Sequence, residues 1–489
     1  MLTGQDVYRY FQCPHWPYWE RFGNPKDRQP LSDSEERDLA DGLSDEGSVI
    51  QAHLGKPVSV GGGSVEEREA RTLDLMKRGA ALIVGGRYAD GDWAAAPTGL
   101  LRAEGESALG GWYYIPFNVR RVHALRKEHK IQLAMAADLL EKVQGRFPQT
   151  PFILNKDGER LEVSAADYLR EWREVKLALE RIRDGEMPPP VYRKACEDVS
   201  PWGKACFRLA SERNDIALIY GVDVKKLNAL RQCNVLTVDD AADMDVSQME
   251  TCATETVGAT HHALEIIKWQ AQSLRNRTVL IREPFDAPIR GEEIFFDIES
   301  HPTTDTDYLY GFLLASPAGR RNQEYHAITA AGPESEPELW KSFLLWLESL
   351  PSEYVVYHFG DYEPTRLNIL ARRYHSTDNP WLARFLSRLV DLNESVRDIL
   401  ILPLYFYSLK SIARFLGFSW RGEIPNGRAS IGVYEQWLSS RDPAVWSSLL
   451  DYNEDDVRAT AFLLAWLKEY AEEGKVYAEP YPWENKKSS

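Results

Sequence analysis

The sequence predicts an α/β protein of several domains, in which helices pack against mixed sheets. Three observations support this prediction. With 489 residues, the chain is too long for one hydrophobic core and fits about two to four domains. Its 44% hydrophobic and 27% charged residues are typical of a globular protein that buries ample apolar area. Apolar runs of strand length occur among longer segments with helical spacing.

Charge and cysteine content narrow the classes of function. The formal net charge of -16 has the wrong sign for a protein that coats nucleic acid without specificity. It leaves a nuclease open, because the metal site of a nuclease is itself acidic and its basic contacts can be local. Five scattered cysteines, an odd number, argue against a disulfide framework. The chain has no uncharged apolar stretch of about 18 residues and no signal-peptide pattern, so we expect a cytoplasmic protein without a membrane partner.

Residues 1–190 are predicted to form the first α/β domain. Apolar runs predict its strands, and helical spacing predicts its helices. The predicted strands lie at 80–84 and 112–117, and the predicted helices at 34–47, 65–79 and 129–143.

This domain resembles the RecB-like branch of the PD-(D/E)XK nucleases. The resemblance is carried by Leu-Thr-Gly-Gln-Asp-Val-Tyr-Arg-Tyr-Phe-Gln-Cys-Pro at residues 2–14 and by Gln-Leu-Ala-Met-Ala-Ala-Asp-Leu-Leu at 132–140. The positions of the family's metal-binding acids and of its catalytic lysine then correspond to Gln51, Thr98 and Asn118, and to Arg120. Uncharged side chains cannot neutralise a divalent cation, and an arginine fork cannot replace the lysine. We therefore expect a degenerate, inactive nuclease scaffold that holds nucleic acid or a protein partner.

Residues 191–260 are predicted to be a connector that contains cysteines. Some RecB-like nucleases carry a four-cysteine iron–sulfur site, and the resemblance would assign Cys13, Cys196 and Cys206 to it, with Ser200 near the missing fourth position. Such a cluster normally needs four thiolates. We therefore expect buried cysteines or a structural remnant, and no iron–sulfur cluster.

The later part of the connector, residues 216–227 and 233–242, resembles a helix-hairpin-helix unit with a capped helix that starts near Thr237. The backbone N–H groups of such hairpins bind phosphate at a helix N-terminus. Lys225 and Lys226 are therefore candidate nucleic-acid contacts. A purely structural helical linker is the alternative interpretation.

A linker helix within 261–289 leads to the last predicted domain at 290–480, which a tail at 481–489 follows. Strands and helices occur in mixed order, and acids lie on a strand, at a helix entry and on a late helix. This arrangement indicates a ribonuclease-H-like fold. The predicted strands are 292–300, 308–314, 323–328, 354–358 and 389–392, and the helices are 335–350, one opened by 359–364, and 443–475.

The strand at 292–300 carries the first candidate site residues. Side chains alternate between the faces of a strand, so Asp297 and Glu299 point to the face opposite Ile294 and Phe296. Two carboxylates side by side at the end of a buried strand require a counter-charge, and a cation is the usual one. The alternative is a pair of surface acids on an edge strand.

Three segments together resemble the motifs of the DEDD 3′–5′ exonucleases, in their tyrosine subclass. They are Phe-Asp-Ile-Glu at 296–299, His-Phe-Gly-Asp-Tyr-Glu at 358–363 and Tyr-Asn-Glu-Asp-Asp at 452–456, and Tyr-Ser-Leu-Lys-Ser-Ile-Ala at 407–413 is similar to the sequence between the last two. The combined layout resembles bacterial proteins that join a RecB-like nuclease domain to a ribonuclease-H-like exonuclease domain.

The second motif departs from the family pattern, which usually ends in Phe-Asp with an asparagine four residues before the phenylalanine. Here Tyr362-Glu363 takes that place, and His358 occupies the asparagine position. Glutamate keeps the charge and adds one methylene, so we expect Glu363 to be the ligand. Asp361 is the rival ligand.

The resemblance implies phosphodiester hydrolysis with two Mg²⁺ or Mn²⁺ ions about 3.5–4 Å apart. Asp297 would bridge both ions, Glu299 and Glu363 would complete one site, and Asp456 would hold the other. Tyr452 lies one helical turn before Asp456, so its hydroxyl can orient the attacking water.

Three further residues of this domain are not assigned to the metal site. Asp451 and Asp455 are expected on the solvated side of the late helix, and Lys410 is a candidate nucleic-acid contact or an ordinary surface lysine. The predicted function is a metal-dependent 3′–5′ exonuclease that acts on DNA or RNA. The alternatives are a non-catalytic nucleic-acid-binding or assembly subunit and a metal-dependent endonuclease.

Overall fold

A computed structural model describes residues 1–30, 46–120, 122, 124–155, 157–193, 196, 200–249, 252, 260–287, 291–302, 304–315, 323–422 and 424–484. The helix predicted for 34–47 therefore falls almost wholly outside the described residues. The chain divides into two compact units, Met1–Leu209 and Ala210–Ser489. Among the described helices, none is both long and apolar enough to cross a membrane.

The first unit contains two sheets together with helices. The helices whose two ends are described in this part of the chain are α1 (Gly4–Gln12), α2 (His15–Phe22), α3 (Val65–Lys77), α4 (Lys127–Gln144), α5 (Leu169–Arg183) and α6 (Gly203–Glu212), and residues 46–53 are also helical. The strands are β1 (Leu2–Thr3), β2 (Val58–Ser59), β3 (Leu82–Val84), β4 (Tyr88–Asp90), β5 (Trp93–Ala95), β6 (Gly99–Ser107), β7 (Gly110–Val119), β8 (Phe152–Leu154) and β9 (Arg160–Glu162). Short 3-10 turns lie at Pro25–Asp27 and Ala165–Tyr168.

The larger sheet has the order β2-β3-β6-β7-β8-β9, and the smaller one has the order β1-β5-β4. Strands β6 and β7 pair antiparallel, whereas β7 and β8 pair parallel. The strands predicted at 80–84 and 112–117 are confirmed as β3 and β7, and the helices predicted at 65–79 and 129–143 as α3 and α4.

Helix α4 lies at the centre of the first unit. Its buried residues include Ile131, Met135 and Leu139, which repeat every four residues and share one core with Trp172 of α5. The helix ends at Gly145, whose φ of 66° lies in the left-handed region that glycine adopts without cost.

The second unit begins with small helices. These are a 3-10 turn at Ile216–Leu218, then α7 (Val224–Gln232), α8 (Val238–Asp243) and α9 (His261–Asn276). The predicted cap at Thr237 is confirmed, because its Oγ1 accepts a hydrogen bond from the Asp240 backbone N–H. A disulfide joins Cys233 to Cys252, and the other three cysteines are not disulfide-bonded, so the chain has a single disulfide and no disulfide framework. An odd cysteine count shows only that at least one thiol stays out of disulfides, whereas the Cys233–Cys252 bond forms because folding brings the two Cα atoms to 6.0 Å.

The rest of the second unit contains a five-stranded sheet, a small three-stranded sheet and helices. The strands are β10 (Thr278–Ile281), β11 (Glu292–His301), β12 (Thr306–Ala315), β13 (Gln323–Thr329), β14 (Tyr354–His358), β15 (Leu389–Asp391), β16 (Leu400–Ile401) and β17 (Val476–Ala478). The helices are α10 (Glu336–Ser349), α11 (Tyr362–Arg373), α12 (Pro380–Leu386), α13 (Leu392–Ile399), α14 (Leu409–Leu416), α15 (Gly427–Ser440) and α16 (Pro443–Tyr470), with a 3-10 turn at Pro333–Ser335.

The main sheet of the second unit has the order β13-β12-β11-β14-β15. Strands β12 and β13 are antiparallel to their neighbours, and β14 and β15 extend the sheet in parallel from β11. A separate small sheet has the order β16-β10-β17. The predicted strands correspond to β11–β15, and the predicted helix at 443–475 ends at Tyr470.

A hydrophobic core covers each face of the main sheet. On one face, Ile294, Phe296 and Ile298 of β11 share a core with residues of α10 and α11. On the other face, Phe295 shares a core with residues of α16, including Val457. The odd-numbered residues of β11 therefore face α16, and this placement determines where Asp297 and Glu299 point.

Candidate active site

Strand β11 and helix α16 bring three acids together. Oxygen atoms of Asp297, Glu299 and Asp456 all lie within 4.8 Å of one another. The β11–β12 register shifts between Glu299 and Ser300, so regular pairing is interrupted where the acids emerge. The edge-strand alternative for Asp297 and Glu299 is wrong, because β11 is the middle strand of the sheet.

Tyr452 lies one helical turn before Asp456 on α16, as the spacing predicted. It is buried, and its hydroxyl forms a hydrogen bond with the Asp456 carboxyl group. The ammonium of Lys410 lies over the ring of Tyr452, 4.1 Å from its centroid. A positive charge therefore lies beside the acids.

Glu363 points inward at the start of α11, and Asp361 is exposed. The Glu363 carboxylate is not one of the three that share the 4.8 Å group, but its charge contributes to raising the pKa of Asp297. Its Oε2 lies 3.4 Å from Nδ1 of His358, the residue at the end of β14 that occupies the family's asparagine position. Burial of the carboxyl group raises the pKa of Glu363, and His358 opposes this.

Asn453 is a site residue that sequence reasoning missed. Its Nδ2 donates to Asp297 Oδ2 at 2.7 Å, and its Oδ1 accepts from the Tyr325 hydroxyl at 2.8 Å. Gly311, the cross-strand partner of Asp297, makes room for this amide, since a Cβ there would lie 1.6 Å from Asn453 Oδ1. The position of Asn453 immediately after Tyr452 in the third motif was the signal available in the sequence.

The other two acids also have hydrogen-bond donors that the sequence did not reveal. Trp420 Nε1 donates to Asp456 Oδ1 at 2.6 Å. Ser430 Oγ and the Tyr308 hydroxyl donate to Glu299 Oε2 at 3.0 and 3.3 Å. Each carboxylate is therefore held in one orientation by a side chain from another element.

Burial and mutual repulsion shape the titration of the three acids. Burial raises the pKa of Asp297 well above its ordinary value, and the charges of Glu299, Asp456 and Glu363 add to the shift. Burial, with the charge of Asp456, raises the pKa of Glu299 to about 8. Burial raises the pKa of Asp456 to about 6, although Lys410 and Trp420 oppose the shift.

The arrangement fits divalent cations. Several carboxylates without enough counter-charge in a buried site repel one another, and a bound cation removes that repulsion. The donors are all carboxylate oxygens, which are the ligands that Mg²⁺ and Mn²⁺ prefer. Asp297, Glu299 and Asp456 are therefore the residues that would hold a metal ion.

The lysines singled out in the sequence lie in different surroundings. Lys410 is close enough for the charges of Asp456, Glu299 and Asp297 to act on it, although burial is the larger effect and lowers its pKa. Lys226 Nζ donates to the Gly221 carbonyl at 3.1 Å and lies 3.7 Å from Asp223, and Lys225 is exposed.

Asp455 differs from expectation. It is buried, not solvated, because Arg421 covers it with hydrogen bonds from both Nε and the backbone N–H at 2.7 Å. Asp451 is exposed, as predicted. The helical period alone could not reveal the loop that carries Arg421 across α16.

The positions of the degenerate site in the first unit hold no acid cluster among the described residues. Asn118 Oδ1 accepts from the Thr98 backbone N–H, and Thr98 Oγ1 accepts from that of Val119. Arg120 lies 3.7 Å from Glu46, and Gln51 is exposed.

The three predicted cysteines of the first unit do converge. Cys13 Sγ lies 3.6 Å from Cys206 Sγ, and Cys196 lies near enough to raise the pKa of both thiols. Ser200 does not join them, since its Oγ accepts from the Trp202 backbone N–H at 3.2 Å. His15, which the sequence analysis did not consider, lies there instead.

Comparison with known proteins agrees with the fold of the second unit. Residues 294–468 match the family model of the RNase_H superfamily. No curated protein and no solved structure matches the chain. The matched region begins on β11 and ends on α16, so it contains all three clustered acids. The second unit therefore carries a ribonuclease-H-like domain with a nuclease-type fold.

Proposed function

We propose that this protein is a metal-dependent 3′–5′ exonuclease that hydrolyses phosphodiester bonds of DNA or RNA. The observation that carries the proposal is the cluster of half-buried Asp297 with buried Glu299 and Asp456, whose oxygens lie within 4.8 Å of one another inside the region that matches the RNase_H superfamily. The order of the three motifs and the tyrosine one turn before Asp456 support the exonuclease subclass.

In this proposal the acids hold two Mg²⁺ or Mn²⁺ ions. Asp297, Glu299 and Asp456 supply the core ligands, and Glu363 contributes from α11, where its charge already acts on Asp297. When bound, the cations supply Lewis-acid stabilisation of the charge that develops during phosphodiester hydrolysis.

The other side chains position the reacting groups. The Tyr452 hydroxyl, which is hydrogen-bonded to Asp456, orients the attacking water. Lys410, beside Tyr452, offers a cation to a substrate phosphate. Asn453 holds Asp297 in one orientation through a 2.7 Å hydrogen bond.

We assign the first unit a binding role without cleavage. Thr98 and Asn118 are engaged in hydrogen bonds with the backbone of neighbouring strands, and neither brings charge to a metal. Arg120 faces Glu46. The unit would hold nucleic acid or a protein partner, and Lys225 and Lys226 of the second unit are candidate contacts to nucleic acid.

Digestion of end-labelled DNA and RNA with Mg²⁺ or Mn²⁺ tests the proposal. We expect a 5′-labelled strand to shorten as a ladder from its 3′ end, and a blocked 3′ end to stop digestion. Asp297→Asn and Asp456→Asn should abolish the ladder. Asp451→Asn, which changes an exposed acid on the same helix as Asp456, should leave it unchanged.

The alternatives give different results. Internal cuts on a substrate with a blocked 3′ end would identify an endonuclease. Binding of nucleic acid without cleavage, together with Mn²⁺ affinity that Asp297→Asn does not change, would identify a non-catalytic binding or assembly subunit.

A further inference from the structure

Four side chains that commonly bind soft metals meet in the first unit. Cys13 ends α1, His15 begins α2, Cys206 lies on α6, and Cys196 lies between α5 and α6. Ligand atoms of Cys13, His15 and Cys206 lie within 4.8 Å of one another. Cys196 is outside that group but lies near enough to raise the pKa of the Cys13 and Cys206 thiols. All four residues are buried, and none is more than 3% exposed.

The His15 ring is oriented as a metal ligand would be. Its Nε2 lies 2.8 Å from the Pro188 carbonyl oxygen. A carbonyl oxygen can only accept, so Nε2 carries the proton and Nδ1 of the neutral ring is the nitrogen with a lone pair. Histidine ligands commonly donate their other ring N–H to a backbone carbonyl in this way, which sets the tautomer and the ring orientation.

The surroundings of this group combine buried aromatic side chains with one cation, Arg193, whose guanidinium donates to the Phe11 and Gln12 carbonyls next to Cys13. Trp202 is buried nearby in sequence and stacks with Trp19, with ring centroids 6.3 Å apart. Among the described residues, Cys196 donates to the Val191 carbonyl at 3.3 Å, and the Cys13 and Cys206 sulfur atoms lie 3.6 Å apart. A metal ion would satisfy all three sulfur atoms at once.

We propose that Cys13, His15, Cys196 and Cys206 bind one Zn²⁺ ion as a tetrahedral Cys₃His site. Each thiol loses its proton to solvent as its sulfur bonds to zinc, and the imidazole binds through Nδ1 without losing a proton. Three thiolates and an imidazole suit zinc, whereas an iron–sulfur cluster normally takes four thiolates. The ion links Cys13 and His15 to Cys196 and Cys206, so it stabilises the folded first unit by joining segments far apart in the sequence.

Metal analysis of the full-length protein tests this site. We expect one zinc per chain, and, after exchange with Co²⁺, the visible absorption of tetrahedral cobalt bound to thiolates. His15→Ala and Cys206→Ser should weaken zinc binding by on the order of 100-fold or more in competition with a chromophoric chelator. The conservative variant His15→Cys supplies a fourth thiolate and should retain stoichiometric metal.

The matched control is Cys233→Ser combined with Cys252→Ser, which removes two sulfur atoms from the second unit and should leave the zinc content unchanged. Circular dichroism shows whether each variant stays folded, and His15→Cys keeps the test decisive if His15→Ala unfolds. Protein without metal, iron with an equal amount of inorganic sulfide, or a Cys13–Cys206 disulfide would overturn the proposal. Full zinc retention in folded His15→Ala would overturn the assignment of His15.

Discussion

At the scale of single residues, the cluster of three acids destabilises the metal-free protein and is suited to bind a metal ion. Glu299 and Asp456 are buried, Asp297 is half-buried beside them, and the pKa of each is raised. Below pH 8 the metal-free protein therefore retains a proton on Glu299, where a cation would otherwise compensate the charge. Burial that is costly without a ligand is a common property of functional sites.

Metal affinity should rise with pH. The pKa of Asp456 is about 6 and that of Glu299 about 8, so both carboxyl groups lose protons between these values in the metal-free protein. A cation competes with these protons, so each proton released strengthens binding by up to about tenfold per pH unit. Titration with Mn²⁺ at pH 6, 7 and 8 measures this, and an affinity independent of pH would contradict it.

Asp297→Asn should abolish metal binding and yet stabilise the metal-free protein. Because the folded-state pKa of Asp297 is raised, the folded chain holds a proton that the unfolded chain releases, and stability is lost as pH rises above the ordinary value. Asp297→Asn removes this loss of stability, and the amide oxygen at position 297 can still accept a hydrogen bond from Asn453.

We expect the Tm of Asp297→Asn in EDTA at pH 8 to exceed that of the parent protein by about 2–4 °C, the shift that about 1 kcal/mol produces in a domain of this size. Asp361→Asn, which changes an exposed acid, is the control. An equal or lower Tm for Asp297→Asn would show that repulsion among the acids is small.

At the scale of secondary-structure elements, the site depends on how α16 and α11 dock against the sheet. Helix α16 approaches β12 closely because Gly311 has no side chain, and Asn453 uses this space to reach Asp297. Helix α11 is held by Arg366, which forms ion pairs with Asp307 of β12 and Glu336 of α10. The Asn453 hydrogen bond orients Asp297, and the Arg366 ion pairs anchor the helix that carries Glu363.

Gly311→Ala should reduce activity although position 311 cannot bind metal. A Cβ there would lie 1.6 Å from Asn453 Oδ1, so the amide must move and Asp297 loses its donor. Loss of a partner that orients a ligand typically costs about 10–100-fold in metal affinity or activity. Exonuclease rates and Mn²⁺ titration measure both.

Two variants control the Gly311→Ala experiment. Gly432→Ala places a Cβ in open space on α15 and should be neutral. Gly311→Ala combined with Asn453→Ala removes the clash but does not restore the hydrogen-bond donor to Asp297. Stability should therefore recover, and activity should not. Recovery of activity in this double variant would refute the role of Asn453.

Arg366→Ala should destabilise the second unit. Its guanidinium is nearly buried and faces Asp307 and Glu336, which are buried themselves. Removal of one partner leaves buried charge uncompensated, which costs about 3–5 kcal/mol. Urea unfolding measures the cost. Arg372→Ala, on the exposed face of the same helix, should change stability by less than about 0.5 kcal/mol.

At the scale of the whole molecule, the chain divides into two units whose candidate sites use different kinds of metal ligand. Among the described residues, the second unit holds the acid cluster and the first unit holds the group of cysteines with His15. The two candidate sites use different ligands, because hard cations select oxygen and zinc accepts sulfur and imidazole.

All metal-dependent cleavage by the full chain should come from the second unit. Asp297→Asn combined with Asp456→Asn leaves the first unit intact and should leave no Mg²⁺-dependent nuclease activity. Arg120→Lys in this background should not restore any, because Thr98 and Asn118 still carry no charge. Residual cleavage that Arg120→Ala removes would contradict an inactive first unit.

The sequence alone determined much of the architecture that positions the site. The alternation along β11 predicted which acids share a face, the helical spacing placed Tyr452 and Asp456 on one side of α16, and the cap at Thr237 was predicted from local residues. These features depend on neighbours a few positions apart. Their physical causes, strand alternation, helical period and capping, can be read from the chain itself.

Only the tertiary structure decided which distant side chains complete each site. Asn453 reaches Asp297 across 156 positions, Cys206 reaches Cys13 across 193, and Arg421 covers an Asp455 that the helical period left in solvent. The Cys233–Cys252 disulfide and the place of His15 among the thiols were likewise invisible in the sequence. Such pairings depend on how strands and helices pack, and local sequence patterns carry no record of that geometry.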